Sequence, residues 1–178
     1  KLGSGGYSQV YMGSWHGTKV AVKILEKGLS HSLMDKEISV WKDLRHPNIL
    51  AFYGACSLAN PPFMVCEYKA NGNVVEYLRK FPDVNRCQLL FDASLGLVYL
   101  HQNRVIHGDI KGTNILVDHA GRASLADFGL SQIKLYSSTL HAAKNSRGET
   151  QGTLRWMSPE QMLHGELSTK TDVYSFAM

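Results

Sequence analysis

The hydrophobic period of this chain changes once, and that change limits the folds open to it. Up to Tyr68 the apolar residues come in short β-branched and aromatic runs. Residues 9–12 and 19–25 are two such runs, separated by Gly13 and Gly17 at a hairpin-like spacing. Residues 49–55 and 63–68 are two more, joined by a turn containing Asn60-Pro61-Pro62. One helical pattern interrupts them: Leu33, Glu37, Val40 (or Trp41) and Leu44 share a face within residues 30–44. His46-Pro47-Asn48 ends that helix, because the residue before a proline resists the helical conformation. Asn71-Gly72-Asn73 then breaks the pattern. Beyond it helices are predicted over 74–80 and near 86–102, the second with Leu90, Ala93, Leu97 and Leu100 as its apolar stripe. Two short runs, 115–117 and 123–126, read as a hairpin across Asp118-His119-Ala120-Gly121. Residues 131–150 are polar and aperiodic, a long loop. The expected architecture is α+β and bilobal. A β-rich small lobe with one helix covers 1–66, a hinge 67–72, and a larger helical lobe 73–178.

Composition removes several function classes. A length of 178 residues suits one domain. Nineteen Lys and Arg against fifteen Asp and Glu give a net charge of +4, too little to argue for nucleic acid as a partner. Hydrophobic residues at 44% and charged residues at 19% exclude disorder as the default. No apolar run reaches the length of about 18 residues expected of a membrane span, and the N-terminus lacks the apolar core of a secretory signal. Cys56, Cys66 and Cys87 have neither metal-ligand nor disulfide-framework spacing, and read as reduced thiols. A cytoplasmic location is the expectation. Oligomeric state is left open. The chain starts at Lys1 rather than Met and ends in an apolar segment, so it reads as a piece of a longer protein. Apolar surface on Leu90, Leu97 and Phe176 is then expected to face water, with poor stability for the isolated piece.

Two clusters carry chemistry. The first is Gly3-Ser4-Gly5-Gly6-Tyr7-Ser8-Gln9-Val10, with Lys23 thirteen residues further on in Val20-Ala21-Val22-Lys23. Glycines let backbone N–H groups approach a phosphate closely. In isolation a flexible Gly/Ser terminus is the better reading of the first cluster, and Lys23 and Glu37 taken alone read as solvated charges. The second cluster is more specific. His107-Gly108-Asp109-Ile110-Lys111-Gly112-Thr113-Asn114 is followed, thirteen residues after Asn114, by Asp127-Phe128-Gly129. Two carboxylates, an amide and a lysine at these spacings suit Mg²⁺-assisted phosphoryl transfer. Carboxylate and amide oxygens are hard ligands, and a remaining carboxylate orients a hydroxyl and accepts its proton.

In this order the motifs resemble the catalytic domain of eukaryotic protein kinases. The matches are Gly3-x-Gly5 with Val10, Val20-Ala21-Val22-Lys23, Glu37, His46-Pro47-Asn48-Ile49, His107-x-Asp109 to Asn114, Asp127-Phe128-Gly129, Ser158-Pro159-Glu160 and Asp172-Val173-Tyr174-Ser175-Phe176. They span nearly the whole chain. The resemblance implies ATP and Mg²⁺ as cofactors and protein substrates as partners. It implies that Lys23 grips the α- and β-phosphates and pairs with Glu37, that Asp109 is the catalytic base, and that Asn114 and Asp127 hold Mg²⁺. Lys111 is expected at the γ-phosphate and Thr153 near Asp109 and Lys111. Gly3, Ser4, Gly5 and Gly6 are expected over the phosphates. Leu2, Val10 and Ala21 are expected over the adenine, with Leu116 beneath it. Backbone groups of Glu67 and Lys69 are expected to hydrogen-bond the base, beside Cys66. Trp41, Phe52, Phe128 and His107 are implied to stack between the lobes, and Asp172 to anchor the backbone near His107.

Lys111, two residues after Asp109, and Gly152-Thr153 are typical of Ser/Thr kinases, whereas Trp156-Met157 and Leu44-Arg45-His46-Pro47-Asn48 look tyrosine-kinase-like. The combination resembles the tyrosine-kinase-like group of Ser/Thr kinases. Two departures stand out. Ser8 replaces the third glycine of the loop, and Gly108 replaces the arginine that usually precedes the catalytic aspartate and reads loop phosphate. Ser137, Ser138, Thr139, Ser146 and Thr150 are candidate phosphosites, or simply a polar loop. The alternative to an active enzyme is an inactive, truncated or pseudokinase-like module that binds ATP or a protein.

Overall fold

The computed structural model describes residues 1–5, 8–25, 35, 38–128 and 154–178. Five antiparallel strands form one sheet in the order β1-β2-β3-β5-β4, with β1 Gly3–Gly5, β2 Ser8–Trp15, β3 Thr18–Leu25, β4 Phe52–Cys56 and β5 Phe63–Glu67. The valine-rich β3 is central, and its register fixes the small lobe: Val10 lies opposite Lys23, Ala21 opposite Cys66 and Val20 opposite Glu67. Around it β-branched side chains pack on the pleated surface, as their stiffness favours.

Helix α1, Val74–Lys80, starts where Asn73 caps it by accepting from the Glu76 N–H at 3.0 Å. Helix α2, Arg86–Gln102, starts in the same way at Asn85. A short hairpin follows, β6 Ile115–Val117 with β7 Ala123–Leu125. Its turn is held by Asp118, whose Oδ1 accepts from the N–H groups of Ala120 and Arg122. Helix α3, Pro159–His164, has Ser158 as cap and proline at its first turn, and stops at Gly165, where φ is +66°. Helix α4, Thr169–Ala177, opens with a Ser168/Thr171 capping box.

One apolar cluster runs through both lobes, from Leu25, Trp41, Phe52 and Met64 to Leu97, Leu100, Val117 and Leu125. The predicted stripe of α2 is shifted at its start. The buried face is Leu89, Asp92, Ala93, Gly96, Leu97 and Leu100, while Leu90 is 51% exposed. Leu97, expected to face water, is only 6% exposed. The face contains an aspartate and a glycine, so apolar periodicity alone misplaces its edge. Asp92 belongs inside because its carboxylate accepts from the Ala123 N–H at 3.0 Å and from Gln88 at 2.9 Å.

The predicted strand over 49–55 also begins late. Ile49 and Leu50 turn toward the large lobe instead: Ile49 bridges Leu125, and the Leu50 N–H donates to the Leu125 carbonyl at 2.9 Å. Asn48 completes this junction. Its side-chain amide donates to the Ala123 carbonyl at 2.8 Å, and its own carbonyl accepts from the Leu125 N–H at 2.9 Å. Of the predicted helix over 30–44, residues 35 and 38–41 are described as helical, and Trp41, rather than Val40, is the buried member of its face.

Candidate active site

The strands and turns above deliver five polar side chains to one place between the lobes. Lys23, buried on β3, reaches the other lobe, where its Nζ lies 2.6 Å from Asp127 Oδ1. Asp127 leaves β7 with φ at +59°, and the preceding Ala126 N–H is tied to the Asn114 carbonyl at 2.9 Å. Asn114 ends the 3₁₀ turn Gly112–Asn114 and is itself buried. Its amide nitrogen donates to the Asp109 carbonyl at 2.7 Å and to Asp109 Oδ2 at 2.9 Å. Lys111 Nζ lies 3.2 Å from Asp109 Oδ1. Each carboxylate is thus paired with a cation, and the Asn114 amide locks the loop that carries Asp109.

The loop that carries Asp109 is suspended from α4. Asp172, 1% exposed, accepts from the His107 N–H at 2.8 Å on one oxygen and from the Gly108 N–H at 2.7 Å on the other. His101, in the last turn of α2, lies 2.9 Å from the same carboxylate. His107 accepts from the Asp109 N–H through Nδ1 at 3.2 Å, which puts its own proton on Nε2. An aromatic stack joins the lobes behind the site: Trp41 on Phe52 at 5.2 Å, Trp41 on Phe128 at 4.9 Å, and His107 on Phe128 at 6.2 Å between ring centroids.

Where β5 ends, the Glu67 N–H donates to the Ala51 carbonyl at 2.9 Å, and the buried Lys69 ammonium lies 3.0 Å from Glu67 Oε1. Lys69 also acts on Asp118. Burial by itself pushes that carboxyl up, but the Arg122 and Ala120 N–H groups and the Arg122 and Lys69 charges together hold it below the ordinary carboxylate range. Burial pushes the Cys66 thiol up to about 12, against a smaller opposing pull from Lys23.

Lys23 and Asp127 meet directly, as do Asp109, Asn114 and Lys111, and the Ala126–Asn114 backbone bond brings the two groups together. Ala21 sits on the same strand as Lys23, opposite Cys66, and Val10 lies opposite Lys23 on β2, while Leu116 bridges Asn73 at the start of α1. Leu2 is half exposed, with its N–H on the Val10 carbonyl. Gly3, Ser4 and Gly5 enter through their pairing with Val10, Gln9 and Ser8. Gly6, Glu37, Gly129, Thr153 and the candidate phosphosites lie outside the described residues. Sequence reasoning missed Gln161, His101 and the inward-facing ammonium of Lys69. No motif marks them, because each matters through a backbone group or charge brought near only by folding. Among the described residues, no helix is long and apolar enough to cross a membrane.

The donor set fits the group the resemblance implies. Both donations of the Asn114 amide nitrogen go to Asp109, which leaves its Oδ1 as an acceptor; with the Asp127 carboxylate, one residue beyond the Ala126 N–H that is tied to the Asn114 carbonyl, it makes an all-oxygen set of the kind suited to Mg²⁺. Over 188 aligned residues covering 100% of the chain, it is 38% identical to the probable serine/threonine-protein kinase drkD of Dictyostelium discoideum, and 35% identical to the serine/threonine-protein kinase STY46 of Arabidopsis thaliana. It is 36% identical, over 99% of its length, to the dual specificity protein kinase shkA of Dictyostelium discoideum. The chain spans 14%, 31% and 35% of the lengths of those three proteins. Residues 1–178 match the protein tyrosine and serine/threonine kinase family throughout, and the chain belongs to that family.

Proposed function

We propose that this chain is the catalytic region of a protein serine/threonine kinase, which moves the γ-phosphoryl group of ATP to a Ser or Thr hydroxyl of a protein substrate. The observation that carries this reading is two sets of contacts, Lys23 with Asp127 and Asn114 with Asp109 and Lys111, tied to each other by the Ala126 N–H on the Asn114 carbonyl. In the transfer the substrate hydroxyl oxygen bonds to the γ-phosphorus, the bond from that phosphorus to the ADP oxygen breaks, and the hydroxyl proton passes to the Asp109 carboxylate. Lys23 is assigned to the α- and β-phosphates and Lys111 to the γ-phosphate. There a preorganised positive charge offsets charge on the transferring group. Asn114 and Asp127 would hold Mg²⁺, which supplies neutralising charge between the phosphates when bound. Leu2, Gly3, Ser4, Gly5, Gly6, Val10, Ala21 and Leu116 are assigned to enclosing the nucleotide, and backbone groups of Glu67 and Lys69 to its base. Glu37 is assigned to pair with Lys23 and Thr153 to the substrate side of Asp109.

The hydroxyl class rests on Lys111 and on the names of the relatives above, two of which are serine/threonine kinases. The dual-specificity name of a third makes tyrosine the second acceptor to test. The experiment is Mg·ATP-dependent phosphorylation of a generic protein substrate by the full-length protein, followed by phosphoamino-acid analysis. Transfer to Ser and Thr is expected, and Asp109→Asn and Lys23→Met should each abolish it. Transfer that survives both substitutions overturns the assignment of the site.

A further inference from the structure

We propose that Gln161 is a positioning residue for the catalytic aspartate, acting through the carbonyl of Gly108. The proposal rests on the phosphoryl-transfer reading of Asp109. Gly108 is buried, has φ at +73°, and has no side chain by which the loop could be gripped. Its peptide groups are gripped instead. The Gly108 N–H donates to Asp172 Oδ1 at 2.7 Å, and its carbonyl accepts from Gln161 Nε2 at 3.2 Å.

The second contact matters because the peptide unit is planar. The Gly108 carbonyl and the Asp109 N–H belong to one rigid plane. That plane is held at its N–H end by His107 Nδ1, at 3.2 Å, and at its carbonyl end by Gln161. Its orientation sets the direction in which the Asp109 side chain leaves the backbone. Glycine resists rotation of the adjoining bonds less than any other residue, so an outside clamp has more to do here than at a substituted position. Gln161 is suited to the task. It is 7% exposed, only an amide N–H₂ is able to donate to the carbonyl, and its helix is fixed by the Ser158 cap and by Gly165. The clamp is built from neutral groups, so it needs no charge at position 108.

The test uses ATP-dependent transfer to a protein substrate by the full-length protein, with thermal unfolding as a check on folded fraction. Gln161→Leu removes the donor at similar volume. The kcat per folded molecule should fall between about tenfold and about a hundredfold, as small misplacements of reacting groups do, with KM for ATP unchanged. Gln161→Glu separates positioning from packing. Its ionised carboxylate repels the Gly108 carbonyl, whereas the protonated form regains an O–H donor. Burial and the Asp172 carboxylate across Gly108 both favour that form. The ratio of this variant's kcat to wild type should therefore rise as pH is lowered from about 8 to about 6. Wild-type kcat in Gln161→Leu, a loss fully explained by unfolded protein, or a flat ratio in Gln161→Glu overturns the proposal. Asp109→Asn runs alongside. Activity in that variant counts against the kinase reading itself, while an inactive Asp109→Asn with a fully active Gln161→Leu counts against the clamp alone.

Discussion

Gly96 lies in the interior of α2, where a glycine costs about 1 kcal/mol relative to alanine. Helix propensity therefore says that Gly96→Ala stabilises the protein. The structure says the reverse. A methyl group at residue 96 would lie 2.4 Å from the Asn48 carbonyl oxygen, 3.2 Å from its carbonyl carbon and 3.4 Å from its Cβ. Real contacts of that kind require a separation of at least about 3 Å, so the helix or the 46–50 segment has to move. The Asn48 oxygen has little freedom, because it accepts from the Leu125 N–H, and the Asn48 side chain holds the Ala123 carbonyl. Overpacking costs about 1–3 kcal/mol, and leaving the Leu125 N–H unpaired costs about 1–3 kcal/mol more. Set against the propensity gain, the net change is a destabilisation of about 1–5 kcal/mol. For a domain of this size that lowers the midpoint of thermal unfolding by about 2–20 °C. Differential scanning calorimetry of Gly96→Ala beside wild type measures it. A midpoint equal to or above wild type refutes the reasoning, since it means that propensity outweighs the contact. Because Leu125 lies two residues before Asp127, the same variant should also lose activity per folded molecule.

Other outcomes follow from single contacts. Asp172→Asn leaves one carboxamide oxygen where two carboxylate oxygens served the His107 and Gly108 N–H groups, so at least one buried N–H loses its partner. A loss of about 1–3 kcal/mol is expected, with faster hydrogen exchange at those two amides. With its thiol held at about 12, Cys66 carries only about one thiolate in 10⁵ at pH 7 and is also buried. A thiol reagent should label the exposed Cys87 in the native protein and reach Cys66 only on unfolding; equal labelling refutes this. Asp118 has a depressed pKa, so its stabilising contribution is present above the ordinary carboxylate value of about 3.9 and is lost as pH falls through the lower, folded value. Denaturant unfolding should therefore find Asp118→Asn less stable than wild type at pH 7, with the gap closing below about pH 4. A gap that stays constant into acid counts against an electrostatic role.

Where the sequence and the structure part, the reason is local. The residues 115–117 and 74–80 were legible because turn chemistry and capping at Asn73 punctuate them on both sides. Residues 49 and 50 looked like the start of a strand because isoleucine and leucine follow Asn48. Their backbone is instead taken by Leu125 and by the Trp41 indole, which donates to the Leu50 carbonyl at 3.2 Å. The edge of α2 was misread at Leu90 for a similar reason. Asp92 and Gly96 share the buried face, one for a distant amide and the other for a close backbone, and neither purpose shows in hydropathy.

The sequence by itself determined which groups are present and the order in which the chain offers them. A lysine on an apolar strand, an aspartate and asparagine five residues apart, and a second aspartate after a hairpin are chemical facts before any fold exists. Only the tertiary structure decided that Lys23 and Asp127, separated by 104 positions in the chain, meet at 2.6 Å, and that Gln161 and Asp172 hold the two sides of Gly108. Contacts of the first kind are marked by side-chain type at short spacing. Those of the second kind join a side chain to a backbone group or to a distant partner, and every residue has the same backbone, so no letter of the sequence distinguishes the one that is held.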